Sequence, residues 1–170
     1  TSLATLPEDK ALMVLTERGA LPLRNKGFPV LRPKTWDDVI SIPGMIANPD
    51  AIEDEAIRAA VKACRSVVVD SLSATAELCA RHIIEVDRAR LVQDRTGGKE
   101  STPKGIYSEQ LAQEDYGLLR TRVKNFCSSL TSLPINVIMT CGSVWIRDQH
   151  TGINRYAPQL AGKTAMEIPA

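Results

Sequence analysis

The stretch "SVVVDSLSATAEL", Ser66 to Leu78, decides how the chain is to be read, because it sets an acidic side chain directly after three valines. A β-branched run of this length reads as a short strand buried on both faces. A carboxylate at its C-terminal end stands where open parallel sheets place their ligands. Asp70 is therefore either a cap for the following helix, together with Ser71 and Ser73, or a working group.

Two other stretches share this layout. "KALMVLTERG", Lys10 to Gly19, runs through five apolar residues to Thr16, Glu17 and a glycine; "INVIMTCGS", Ile135 to Ser143, follows the breaker Pro134 and ends in Thr140 and Ser143. Helical patterns lie between these strands. In "TWDDV" Thr35 is an N-cap with Asp38 three residues on, and in "PDAIEDEAIRAAVKAC" Asp50 and Glu53 stand in the same relation. There Ile52, Ile57, Ala60, Val61 and Cys64 recur at helical spacing. A further helix is expected from about Ser73 to Leu91. Another begins after Ser108, where Leu111, Leu118, Leu119, Val123, Phe126, Cys127 and Leu130 form a stripe with Arg120, Arg122 and Lys124 among them. The alternation of strand and helix predicts an α/β fold with a mainly parallel sheet flanked by helices. Residues 93–105, "QDRTGGKESTPKG", and 145–156, "WIRDQHTGINRY", are read as mobile loops.

The 170 residues, 44% hydrophobic, are enough for one sizeable core and predict a single domain. A net charge of +1 gives no whole-protein field toward nucleic acid or membrane, so any such site has to be a local patch. Cys64, Cys79, Cys127 and Cys141 are widely spaced, without a C-x-x-C pair, and are read as reduced core thiols; His82 and His150 are isolated, and no site built from Cys and His is expected. No run approaches the roughly 20 apolar residues that cross a bilayer. The expectation is a soluble, cytoplasmic protein without a membrane partner.

At the level of residues alone, Glu17, Asp70 and Thr140 close three strands and can converge in the crevice outside the carboxyl edge of the sheet. "TSLATLPEDKALMVLTERGAL", "SVVVDSLSATAEL" and the terminal "YAPQLAGKT" together resemble the RecA-like P-loop ATPases found in phage genomes, the group described as phage nucleotide-binding proteins. The resemblance covers most of the chain. It implies a RecA-like P-loop NTPase core over residues 1–170, truncated at its N-terminus, since the glycines and lysine of a G-x-x-x-x-G-K-[ST] loop do not precede Thr1 here.

The same resemblance assigns roles. Thr1 and Ser2 look like the end of the phosphate loop, with Leu3 to Leu6 as its helix; Asp70 looks like the Walker B acid, sharing magnesium with the Thr1 hydroxyl. Glu17 resembles the glutamate that orients the attacking water, and Thr140, or less readily Ser143, the γ-phosphate sensor. The loop after the third strand is where RecA-like recombinases contact single-stranded DNA, and here it carries Trp145, Arg147, His150, Asn154, Arg155 and Tyr156. An ordinary surface hairpin with Trp145 packed inward is the alternative. Gly97, Gly98, Lys99 and Lys104 match a second DNA-facing loop, and Lys163, or Arg155, matches the basic residue that one subunit sets against its neighbour's γ-phosphate. The implied activity is ATP hydrolysis with magnesium on single-stranded DNA, by a ring or filament of identical subunits in phage recombination or replication. Two alternatives stand beside it: a non-catalytic DNA- or protein-binding module on a degenerate P-loop fold, and an unrelated doubly wound enzyme.

Overall fold

The computed structural model describes residues 11–17, 27–87, 111, 115–147 and 154–160. Four parallel strands form the main sheet: β1 (Ala11–Leu15), β2 (Val30–Leu31), β3 (Ser66–Asp70) and β4 (Asn136–Met139), in the order β2-β1-β3-β4. Their register is fixed residue by residue, with Leu12 opposite Val67, Leu15 opposite Asp70 and Val69 opposite Met139. The β-branched run of β3 is where it should be for a central strand, since Val67, Val68 and Val69 are wholly buried. The expected α/β architecture is what forms.

The helices α1 (Trp36–Ala47), α2 (Glu55–Ala63), α3 (Leu72–His82) and α4 (Asp115–Thr131) contribute Trp36, Val39, Ile42, Val61, Leu72, Ala76, Cys79, Leu119, Val123, Phe126 and Leu130 to one core with Leu12, Val14, Val67 and Val69. Alternation along the strands sends Ala11, Met13, Leu15 and Val68 to the other face, where Phe28 and Ile138 join them. Trp36 meets Phe126 edge-on at 6.2 Å, locking α1 to α4. Among the described residues no helix is long and apolar enough to cross a membrane.

Several boundaries differ from the sequence expectation, each for a local reason. The expected Asp50 cap instead lies in a 3₁₀ turn, Pro49–Ala51, after which Ile52 is extended; the cap of α2 is Asp54, whose carboxylate accepts from the Ile57 N–H at 3.0 Å. Asp50 pairs with Lys62 at 2.5 Å. The helix expected from about Ser73 to Leu91 starts at Leu72 and widens after His82 into a π turn, Ile83–Asp87, that keeps Ile83 buried. α4 is described from Asp115, Leu111 of the expected stripe is not helical, and Leu118 falls off the buried stripe, 39% exposed. β4 stops at Met139, and Ser143 opens a separate strand. The short edge strand β2 was not expected: it is only two residues long and carries no alternation to read.

The 145–156 loop is also corrected. β5 (Ser143–Arg147) and β6 (Asn154–Pro158) pair antiparallel, so the ends of that loop are strands of a two-stranded hairpin. The 93–105 stretch lies outside the described residues. All four cysteines are free thiols. Cys64 and Cys79 are core groups, and burial pushes the Cys79 thiol up to about 12 against the pull of Arg122. Cys127, driven up to about 11 by burial, and Cys141 are half-buried against the same core.

The reading of Thr35 and Asp38 holds in full. Thr35 accepts from the Asp38 N–H at 3.1 Å, and the Asp38 carboxylate accepts from the Thr35 and Lys34 N–H groups, both at 2.9 Å. Those backbone bonds hold the Asp38 carboxyl below its ordinary value. A folded-state value depressed below the unfolded one gives stability that is present above pH ~4 and lost as pH falls through the folded value. Asp38→Ala should lower stability at pH 7 by about 1 kcal/mol, seen as a melting temperature about 2–4 °C lower. Melts recorded from pH 6 to pH 3 should show the two proteins converging at the acid end.

Candidate functional site

Three parallel strands ending side by side bring their last polar residues to one edge. The β1 to β3 ladder continues one step past Leu15, where the Thr16 N–H donates to the Asp70 carbonyl at 2.9 Å; the β3 to β4 ladder continues likewise, the Thr140 N–H donating to the Val69 carbonyl at 2.9 Å. Thr16 and Glu17 therefore lie on one flank of Asp70 and Thr140 on the other. By alternation Asp70 and Thr140 share the face of Val68 and Ile138. The Thr140 hydroxyl donates to Asp70 Oδ1 at 2.5 Å.

The cap of α3 is Ser71, not Asp70. Ser71 Oγ accepts from the Ala74 N–H at 3.2 Å, as an N-cap serine does, and the same hydroxyl donates to Glu17 Oε1 in a short contact. Thr16 closes the turn from the other side: its hydroxyl donates to the Ser71 carbonyl at 2.9 Å and accepts from the Ser71 N–H at 3.0 Å. The valine run thus ends in an aspartate whose capping duty has passed to its neighbour. Asp70 is half-buried, Ser71 buried, and Glu17 exposed.

Glu17, Asp70 and Thr140, three of the residues singled out in the sequence, are brought together here, and Ser143, the lesser alternative to Thr140, opens β5 instead. Thr1, Ser2 and Lys163 lie outside the described residues, as do His150, Gly97, Gly98, Lys99 and Lys104. Thr16 and Ser71 were missed as site residues. The only signal they carry in the sequence is a small hydroxyl beside a strand-ending acid, a pattern that occurs in many turns.

The donor set at this edge consists of carboxylate and hydroxyl oxygens. Such hard oxygens suit magnesium, which takes one or two carboxylates and keeps most of its waters, rather than the nitrogen and sulfur sets that hold zinc. Among the described residues no three His, Cys, Asp or Glu side chains come together as a metal-holding group.

The hairpin leaves the same edge. Trp145 and Tyr156 face each other in register, ring centroids 3.9 Å apart and tilted by 39°, and are 62% and 64% exposed. Trp145 does not pack inward. Arg147 lies two residues along β5 from Trp145, opposite Asn154, and Arg155 pairs with Ile146.

A family model described as AAA domain matches residues 1–170. No curated protein and no solved structure matches the chain.

Thr16→Val would leave the buried Ser71 N–H without its hydroxyl acceptor, a loss of about 1–3 kcal/mol. Urea denaturation should show a lower midpoint at unchanged slope, whereas Thr16→Ser should stay near wild type.

Proposed function

From the premise that the chain belongs to the AAA domain family, whose members are in general nucleotide-binding ATPases of the P-loop class, we propose that it binds ATP with magnesium and hydrolyses it at the carboxyl edge of β1, β3 and β4. The observation that supports this site is the meeting of Glu17, Asp70 and Thr140 at three adjacent parallel strand ends, where Thr140 donates to Asp70 and Ser71, next to Asp70, donates to Glu17. Open α/β sheets bind ligands in this place.

Each residue has a task suited to its chemistry. Asp70, on the middle strand, holds the water shell of the metal with one carboxylate while Thr140 fixes the orientation of that carboxylate. When bound, magnesium neutralises the charge that develops on the phosphate oxygens. Glu17, exposed at the next strand end and oriented by Ser71, accepts a hydrogen bond from the attacking water and sets it in line with the γ-phosphorus. The Thr140 hydroxyl can turn from Asp70 toward a γ-phosphate oxygen, which makes it the group that senses the triphosphate. Thr1 and Ser2 complete the phosphate loop in this reading, and Lys163 or Arg155 of a neighbouring subunit supplies positive charge in a ring or filament.

The polymer acted on is single-stranded DNA, in phage recombination or replication. Support comes from the hairpin: two exposed rings side by side suit bases, and Arg147 and Arg155 on the same two strands suit phosphate.

Hydrolysis by Glu17→Gln and Asp70→Asn, measured as phosphate release by the full-length protein, should fall by about a hundredfold or more. Glu17→Gln should keep nucleotide affinity and Asp70→Asn should lose its magnesium dependence. Turnover at the wild-type level in both variants rules the site out. Separately, Trp145→Ala should weaken single-stranded DNA binding by about 1–3 kcal/mol, and Arg147→Ala with Arg155→Ala should flatten its salt dependence. DNA binding without any hydrolysis would favour a non-catalytic module.

A further inference from the structure

The hairpin is not part of the main sheet: β5 and β6 form a sheet of their own. Their tie to the rest of the chain runs through two short segments, 140–142 entering β5 and 159–160 leaving β6. Both segments meet at one side chain. Ser73, the second residue of α3, accepts the Gly142 N–H at 3.1 Å, donates to the Gln159 carbonyl at 2.9 Å, and stands 3.3 Å from Cys141 Sγ. Gly142 and Gln159 are themselves joined, the Gln159 N–H donating to the Gly142 carbonyl at 2.6 Å.

Apolar contacts accompany these bonds, since Cys141 and Leu160, one from each segment, lie against the main core. A cleft of about 300 Å³ lies beside it, lined by Ser73, Ala76, Glu77, Leu119, Gln159 and Leu160. On the side of the cleft the hydrogen bonds at Ser73 hold the hairpin base together with those apolar contacts. Room is tight where the two segments cross: a Cβ on Gly142 would come within 2.5 Å of Gln159 Oε1 and 3.2 Å of its Cβ.

The same turn of α3 touches the site. The Leu72 N–H donates to the Thr140 carbonyl at 2.8 Å, and the Thr140 hydroxyl is the donor to Asp70. One contiguous set of bonds therefore runs from Asp70 through Thr140 to Leu72 and Ser73, and from Ser73 to both strands of the hairpin.

We propose that Ser73 is a positioning residue that couples the hairpin to the carboxyl edge, so that nucleotide at Asp70 and Thr140 and single-stranded DNA on Trp145 and Tyr156 change each other's affinity. This rests on the function proposed above for those two places. Ser73 touches neither ligand. A Thr140 that turns its hydroxyl from Asp70 toward a phosphate shifts the segment 140–142, and Ser73 converts that shift into a movement of both hairpin strands together.

The test uses full-length wild type, Ser73→Ala, Ser73→Thr and Gly142→Ala, with single-stranded oligonucleotide and a non-hydrolysable ATP analogue with magnesium. In wild type the analogue should alter oligonucleotide affinity by about 5–150-fold, the usual size of coupling between two sites, and Ser73→Ala should reduce that factor to about one while leaving each ligand's own affinity. Ser73→Thr, which keeps the hydroxyl, should restore it, and Gly142→Ala should weaken it, because the added Cβ turns the Gln159 amide aside and moves the Gln159 Cβ by a few tenths of an ångström. Hydrogen exchange gives a readout that needs no DNA: the analogue should slow exchange across 141–147 and 154–160 in wild type and leave it unchanged in Ser73→Ala. Wild-type coupling and protection in both Ser73→Ala and Gly142→Ala overturn the role of Ser73 and leave the proposed function standing. A wild type that binds neither the analogue nor the oligonucleotide overturns the proposed function and this coupling with it.

Discussion

Parallel pairing in a fixed register is the constraint on which the molecule depends. Leu15 opposite Asp70, and Val69 opposite Met139, make three strands end level, so that one turn at the end of each is enough to assemble a polar edge. A slip of a single residue would turn Asp70 toward the helices and Val69 away from them. What prevents the slip is the complete burial of Val67, Val68 and Val69 on two faces, each valine contributing roughly 1.5–3 kcal/mol that an off-register strand would forfeit in part. The apolar run and the acid that follows it are thus one device: the valines set the height at which the carboxylate stands.

The second element is a division of labour between neighbours. Ser71 satisfies the first turn of α3 and Thr16 satisfies the turn of Ser71, so the exposed and half-exposed acids on either side are not consumed in holding backbone. Away from this edge the polar groups do structural duty. Arg122 pairs with Asp87 at 2.7 Å, His82 stands 3.9 Å from the same carboxylate, and the three close the π turn against α4 beside Trp36 and Phe126. That cluster ties the π turn after α3 to α4.

Much of this was legible in the residues. The strand at Val67, the box at Thr35 and Asp38, and the stripe through Leu119, Val123, Phe126 and Leu130 are periodic or local signals, and local physics decided them. Asp54 displaced Asp50 because Ile52 has to reach the core, which requires an extended residue between the 3₁₀ turn and the helix. Leu118 and Leu119 are adjacent apolar residues at the edge of the stripe, and only the helix's rotation, not the pattern, decides that Leu119 is the buried one. In the site, Glu17, Asp70 and Thr140 could be named because strand ends are predictable in parallel sheets. Thr16 and Ser71 could not, since their importance comes from a contact across 55 residues that no spacing encodes. A hairpin at 145–156 was open to the sequence as the alternative to a loop, but not the outward position of Trp145, since the aromatic pair is visible only once the register sets Trp145 against Tyr156.

The exposed ring pair has an optical consequence. The chain holds two tryptophans, one sealed in the core at 4% exposure and the other in solvent at 62%, in contact with a tyrosine. Their emission should separate into a blue component from Trp36 and a red, easily quenched component from Trp145. Without any attached dye, the molecule thus carries one intrinsic reporter of its folded interior and another of its hairpin surface.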